Sequence, residues 1–182
     1  MQLSLKHREK IITAKTGNLT SATPLTTSAT QVKRYTDYEE MGGEERVRAI
    51  LEESFGKKVA PNFFDTKPIA VFLAKEDGEA VGIAIIKTIQ SNGIEYPYLD
   101  KIGVLPKAAG KKIGSKIMAK IKEDFKALSW RATNENPANN WYKAISEYSK
   151  TGDKWTVYTY GIDGEKEALV QKIDSLEASM VK

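Results

Sequence analysis

The run Tyr98-Leu-Asp-Lys-Ile-Gly-Val-Leu-Pro-Lys-Ala-Ala-Gly-Lys-Lys-Ile-Gly-Ser-Lys116 changes its structural period part-way along. Tyr98 to Val104 has the composition of a strand, and Pro106 ends it. A glycine-containing loop follows. Ile113, Ile117, Ile121, Phe125 and Leu128 then recur at helical spacing with lysines opposite, which predicts a helix from Ile113 to about Leu128. A strand, a glycine loop and a helix in that order put free backbone N–H groups and the positive end of a helix dipole at one point, a geometry that binds phosphate. Gly110 and Gly114 let the backbone come close to a ligand, and Lys107, Lys111, Lys112 and Lys116 add positive charge. An ordinary loop with a solvated lysine face has the same spacing. The Gly-Lys-Ser/Thr ending of a nucleotide-binding P-loop is missing.

Upstream, Glu44 and Glu45 suit a first helical turn, Val47, Ile50, Leu51 and Phe55 follow at helical spacing, and Gly56 supplies a stop. Ile69 to Lys75 is a strand, Asp77-Gly78 a hairpin turn, Ala80 to Ile89 the returning strand, and Ser91-Asn92-Gly93 a second turn. Downstream, Ser129 to Thr133 predicts a short buried strand. A second amphipathic segment carries Trp141, Tyr142, Ile145 and Tyr148. Trp155 to Ile162 predicts a strand, and Glu165 to Lys182 a helix with Leu169, Ile173, Leu176 and Met180 on one face. The order implies an α/β layered fold with a mixed sheet. That C-terminal stripe would dock on its own domain or on a sister subunit. Residues 1–40 differ: Thr13 to Thr30 is crowded with Thr, Ser and Ala. This predicts a polar arm or linker ahead of a folded domain spanning 41–182, with Leu3, Leu5, Ile11 and Ile12 able to add an edge strand.

The chain has 182 residues, 41% hydrophobic and 29% charged, with a net charge of +4. That suits one domain with its own core. The mild basic excess fits an anionic small molecule better than nucleic acid, because Glu123 and Asp124 share the lysine-rich helix. There is no cysteine, which excludes a disulfide framework, a catalytic thiol and Cys-based zinc. His7 is the single histidine and lies in a polar stretch, so Ser-His-Asp chemistry and a histidine metal site are not expected. No apolar run is long enough to span a bilayer, and no signal-peptide h-region is evident. The expectation is a cytoplasmic protein, or one in an organelle matrix, with no metal, nucleic-acid or membrane partner.

Further chemistry-bearing residues cluster nearby. Asp100 and Lys101 interrupt an apolar strand, where neighbours face opposite sides of the sheet, so one of them could enter a cleft. Arg131 follows a buried position and could bind a carboxylate in a forked manner. Asn136 is either an N-cap or a donor and acceptor at a site. Tyr142 is either core packing or, if it faces a cleft, a proton donor.

Together, Ser54-Phe-Gly-Lys57, Tyr98-Leu-Asp-Lys101, Leu128-Ser-Trp-Arg131, Asn136-Pro137 with Trp141-Tyr142, and Trp155-Thr-Val-Tyr-Thr-Tyr-Gly161 resemble the GNAT-fold acetyltransferases. More narrowly, the run from about Arg46 to Ile162 is similar to the acetyltransferase domain of vertebrate-like N-acetylglutamate synthases and bifunctional synthase/kinases. The resemblance implies a mostly antiparallel central sheet flanked by helices and transfer of acetyl from acetyl-CoA to the α-amine of L-glutamate. Ile102, Gly103 and Val104 would align the pantetheine arm. Ala109, Gly110, Lys111, Lys112, Ile113, Gly114 and Ser115 would hold the pyrophosphate. Lys101 and Arg131 would bind glutamate carboxylates, Asn136 would lie beside the thioester, and Tyr142 near the departing sulfur. A homodimer, and a kinase domain or subunit as partner, are further expectations from the resemblance. The alternative it leaves is a catalytically weak or inactive regulatory module associated with an acetylglutamate kinase. Ala109 stands where such loops usually carry Gln or Arg, Lys112 where they carry a second glycine, and Thr133 where synthases tend to carry a second arginine.

Overall fold

The computed structural model describes residues 29–164 and 166–182. Its strands are β1 (Gln31–Tyr35), β2 (Lys58–Val59), β3 (Ala70–Glu76), β4 (Glu79–Ser91), β5 (Ile94–Val104), β6 (Leu128–Thr133), β7 (Tyr148–Thr151), β8 (Trp155–Tyr160) and β9 (Met180–Val181). The helices are α1 (Glu44–Phe55), α2 (Ile113–Asp124), α3 (Asn139–Ile145) and α4 (Glu167–Asp174). Seven strands form one sheet in the order β1-β3-β4-β5-β6-β8-β7. Every described pair in it is antiparallel except β5 with β6.

The β3-β4-β5 meander follows from its turns. Asp77 and Gly78 both have positive φ, as do Asn92 and Gly93, and paired left-handed residues match the twist of a hairpin. β4 is buried along nearly its whole length because helices cover both faces of the sheet there. On one face α2 packs Ile113, Ile117 and Ile121 against Phe72 and Ile86. On the other, α1 packs Val47, Ile50 and Leu51 against Leu73, Ile83 and Ile85. Each such buried side chain contributes about 1.5–3 kcal/mol. The helices come close because the strands carry glycine beneath them. A Cβ on Gly82 would stand 2.8 Å from Ile113, and one on Gly103 would stand 2.8 Å from Ser54.

Four expectations shift. The helix expected to reach Leu128 ends at Asp124, because Phe125 turns extended to meet Phe72 and Leu128 is needed as the first residue of β6. Tyr148 belongs to the edge strand β7 and not to the helix of Trp141 and Tyr142, which ends at Ile145. Within the expected arm, Gln31–Tyr35 pair with β3, and Tyr35 and Tyr38 are buried. Backbone pairing requires no apolar richness, so composition was silent about it. Leu3, Leu5, His7, Ile11 and Ile12 lie outside the described residues.

The fourth shift matters most for the site. The helix expected over 165–182 stops at Asp174, and Met180–Val181 instead pair with Lys58–Val59. Leu176 packs into the core around α4, whereas Met180 packs beside α1. One straight helix cannot serve both cores, so the chain unwinds and crosses between them. The apolar stripe of Leu169, Val170 and Ile173 is buried on the domain's own sheet. Among the described residues no helix is long and apolar enough to cross a membrane.

Candidate active site

β5 and β6 are bonded only at Tyr98–Ser129 and Leu99–Trp130. Beyond those pairs β5 continues with β4 alone, and β6 with β8 alone. A wedge therefore opens in the sheet, and each of its sides has a strand edge unpaired with the other. A cavity of about 210 Å³ lies there, lined among others by Lys101, Ile102, Arg131, Asn136, Tyr142 and Trp155. Ile102 thus faces this opening. The Gly103 position is packed by Ser54 and Phe55 of α1, and Val104 lies near Gly114 of α2.

A β-bulge shapes the entrance. Ile85 pairs with Lys101 and Ile86 with Leu99, so Asp100 has no partner across the ladder. A bulge bends its strand and re-aims a side chain. The expectation that Asp100 and Lys101 diverge to opposite sides is corrected here. Lys101 Nζ donates to Asp100 Oδ1 at 2.6 Å and to the Asp100 carbonyl at 2.8 Å. A second lysine, Lys87 on β4, reaches Asp100 Oδ2 at 3.2 Å. Lys87 also donates to the Phe63 carbonyl at 2.6 Å and stands 3.9 Å from the centre of the Phe63 ring. All three ionic side chains are buried. Burial pushes the Asp100 carboxyl up, but the charges and hydrogen bonds of Lys101 and Lys87 outweigh it and hold the group below the usual carboxylate range. Burial pulls the Lys101 ammonium down, and Asp100 offsets this only in part because Lys87 and Arg131 push the same way as burial.

Arg131 lines the same cavity, and its guanidinium is held by the C-terminal segment. Nη1 donates to the carbonyls of Ile173, Asp174 and Leu176, and Nη2 to that of Glu177 at 2.7 Å. It lies 4.0 Å over the ring of Trp155. Two of these carbonyls, Ile173 and Asp174, end α4, and the other two belong to the segment beyond it. Lys101 is held by the same segment through the Ser179 hydroxyl. The two cations predicted from the sequence therefore converge on one cavity, and residues 173–179 cover both.

Asn136 is not the N-cap of α3, a position that Ala138 occupies. Its Oδ1 accepts from the Ala138 N–H at 2.8 Å, a turn that leads into α3, while its side chain lines the cavity. Its side-chain amide donates to no group among the described residues. Tyr142 packs against Trp130, Trp141 and Tyr158, and its hydroxyl has no hydrogen-bond partner among the described residues. Burial, aided by Tyr158, pushes its phenol up to about 12.

The loop leading into α2 turns through two left-handed residues. Gly110 has φ +79° and Lys112 φ +58°. The N–H groups of Lys112, Ile113, Gly114 and Ser115 donate to no acceptor among the described residues, and Ala109 closes a 3-10 turn on Pro106. The lysines contribute less charge than their number implies. Lys111 pairs with Glu76 at 2.8 Å, Lys107 approaches Glu79 at 3.8 Å, and Lys120 pairs with Glu123 at 2.6 Å. Sequence reasoning overlooked Lys87 and Ser179. A lone charge inside the apolar run Val81 to Ile89 was the available signal for Lys87; Ser179 had none.

The family model for NAT, the N-acetyltransferase of N-acetylglutamate synthase, matches residues 33–177. The chain belongs to that family. It is 31% identical over 117 residues to an acetylglutamate kinase of Xylella fastidiosa, a match covering 64% of this chain and 26% of the relative. It is 26% identical over 140 residues to the mitochondrial N-acetylglutamate synthase of Danio rerio, covering 75% of this chain and 26% of that protein. The chain thus matches about a quarter of the length of these relatives. Among solved structures, Arabidopsis thaliana Naa50 in complex with a bisubstrate analogue aligns with TM-score 0.56 at 13% identity, over 73% of this chain and 99% of that one. The ribosomal-protein-S18-alanine N-acetyltransferase of Escherichia coli aligns with TM-score 0.54 at 14% identity, over 75% and 97%. The fold of this acetyltransferase domain is therefore the GNAT fold: a mixed, mostly antiparallel sheet split at one parallel pair and flanked by helices.

Proposed function

We propose that the domain transfers the acetyl group of acetyl-CoA to the α-amine of L-glutamate. The observation that carries this is the buried cluster beside the wedge, where Lys87 and Lys101 share the single carboxylate of Asp100 and Arg131 lines the same cavity as Lys101. Buried cations in excess of their anions suit a ligand with negative charge to spare. In this reading acetyl-CoA lies along the open edge of β5 at Ile102 to Val104. Its pyrophosphate meets the free N–H groups from Lys112 to Ser115. The amine attacks the thioester carbonyl, the C–N bond forms, the C–S bond breaks, and coenzyme A leaves as a thiolate. The Asn136 amide is free to donate to the carbonyl oxygen as negative charge builds there. Tyr142, protonated at neutral pH because its phenol lies near 12, gives the departing sulfur its proton. Asp100, held low by two ammonium groups, is a poor base, so the proton released from the amine leaves through water.

Substrate carboxylates reach Lys101 and Arg131 by taking the places of the Ser179 hydroxyl and of carbonyls from residues 173–177. Binding therefore opens the C-terminal segment. The same occupancy favours a second reading, a regulatory module whose site is filled by its own chain. The names of the relatives make a kinase-type domain a fitting partner, and homodimerisation and a cytoplasmic or mitochondrial-matrix location belong to the same proposal. Release of coenzyme A thiol, measured with glutamate and a panel of other amino acids, tests it. Turnover with glutamate is expected. Measurable acetyl-CoA binding with no turnover on any amino acid would sink the transferase reading in favour of the regulatory one.

A further inference from the structure

α3 has only seven residues. A helix that short is marginal by itself, so its place is set by what it is tied to. It carries Tyr142, whose hydroxyl has no hydrogen-bond partner among the described residues. The phenol therefore inherits its position from the α3 backbone and from the packing of its ring on Trp130, Trp141 and Tyr158.

Asn139, the first residue of α3, makes the tie. Its Nδ2 donates to the carbonyls of Thr133 and Asn134, both at 2.9 Å. Its Oδ1 accepts from the Tyr158 hydroxyl at 3.1 Å. Both donors and the acceptor of the amide are in use. Asn usually weakens a helix, because its side chain competes for backbone groups. Here that reach joins α3 to the end of β6 and, through Tyr158, to β8. Tyr158 in turn stacks on Trp130 at 5.5 Å and lies 5.6 Å from the Tyr142 ring. One side chain thus fixes the helix that carries the phenol and a wall on which its ring rests. Asn139 itself lines neither the cavity of the wedge nor the smaller one beside it. Asn136 does not depend on it. Its N–H donates to the Thr133 carbonyl at 2.9 Å and its Oδ1 accepts from the Ala138 N–H at 2.8 Å.

We propose that Asn139 is a positioning residue for the transfer, setting the Tyr142 phenol where the departing sulfur can take its proton. The proposal rests on the transferase reading for the role of Tyr142. In that step the Tyr142 O–H bond breaks, the S–H bond of coenzyme A forms, and the phenolate regains a proton from water. Without the Asn139 amide the start of α3 loosens, and a displacement of about 1 Å is enough to spoil such an alignment. The groups assigned to binding stay in place.

The test places Asn139→Ala in the wild type and in Tyr142→Phe. In the wild type kcat should fall about tenfold to a hundredfold, with both KM values within about twofold. In Tyr142→Phe the same change should cost about threefold at most, because the group it positions is already gone. A merely structural role would lower kcat equally in both backgrounds. A second readout needs no turnover: NMR of the 13C-tyrosine-labelled chain at about pH 10.5, with Tyr142→Phe identifying the signal. Burial holds the wild-type phenol near 12, so its signal should be that of the neutral form. In Asn139→Ala water reaches the ring and the tyrosinate form should dominate. If Asn139→Ala does not fold, Asn139→Asp replaces it, keeping the acceptor for Tyr158 and losing both donors. An unchanged kcat, an equal fall in both backgrounds, or an unmoved Tyr142 signal overturns the proposal. A shifted Tyr142 signal in a chain whose wild type acetylates no amino acid would fail the transferase reading alone. Glutamate acetylation with equal losses in both backgrounds would fail this inference alone.

Discussion

The two halves of the wedge are built on opposite principles. The half formed by β5 and the loop into α2 is open and offers backbone groups: unpaired strand edges, free N–H groups, and a turn in which Lys107 and Lys111 already face carboxylates. The half formed by the β5 bulge, β4 and Arg131 is closed and offers charge, and residues 173–179 already fill it. A backbone site tolerates substitution because any residue supplies an N–H. A buried charge cluster does not, since each member is the counter-ion of another. In the proposed function the first half takes its ligand as it stands, and the second must open.

The largest expected effect is on the closed half. Asp100→Ala leaves Lys87 and Lys101 buried without their shared anion and should destabilise the domain by about 3–5 kcal/mol, seen as a lower urea midpoint. The same group sets a pH dependence. Its carboxyl lies below its unfolded value, so its stabilising contribution is complete above the ordinary aspartate range and is lost as pH falls through the lowered folded value. A stability profile of Asp100→Ala that parallels the wild type through the acid range would show that the cluster is not ionised as described.

Tyr142→Phe tests where the halves meet. Loss of the proton donor should cost about a hundredfold or more in kcat with little change in either KM. Because burial holds the phenol near 12, kcat in the wild type should show no descending limb from this residue through the mildly alkaline range. A fall in kcat there that disappears in Tyr142→Phe would contradict the assignment.

The opening of the closed half can be locked. Val59 pairs with Met180 across β2 and β9, and the chain has no cysteine of its own. Val59→Cys with Met180→Cys should form a cross-link that pins the C-terminal segment. Turnover should drop about tenfold on oxidation and recover on reduction, while acetyl-CoA affinity is unchanged. Equal activity in both states would mean that the segment does not have to move.

The same contrast explains what was legible in the sequence. Periodicity and turn residues gave the hairpins, α1, the start of α2 and β8, because those elements are made by local rules. Lys101, Arg131, Asn136 and Tyr142 stand out in the sequence because their neighbours form a pattern, and the four line one cavity. The missed parts are non-local. The bulge at Asp100 exists only against β4, Lys87 arrives from another strand, and Ser179 comes from a segment whose apolar spacing imitates a helix. Arg131 ends that helix from a distance in sequence that no local pattern spans.

The smallest expected effect probes the open half, at Lys112. A left-handed φ of +58° costs a non-glycine residue roughly 1–2 kcal/mol. Glycine removes that strain but loses about 0.5–1 kcal/mol through greater freedom in the unfolded chain. The terms nearly cancel, so Lys112→Gly should leave stability within about 1 kcal/mol of the wild type. Affinity decides the physics. If the cradle is backbone, its N–H groups survive the substitution, and acetyl-CoA binding should weaken only by the loss of one exposed charge, about threefold at low salt and less at high salt. A loss of tenfold or more that persists in high salt would mean that the lysine side chain itself grips the phosphate. The open half would then recognise by charge as well, and the contrast between the two halves would not hold.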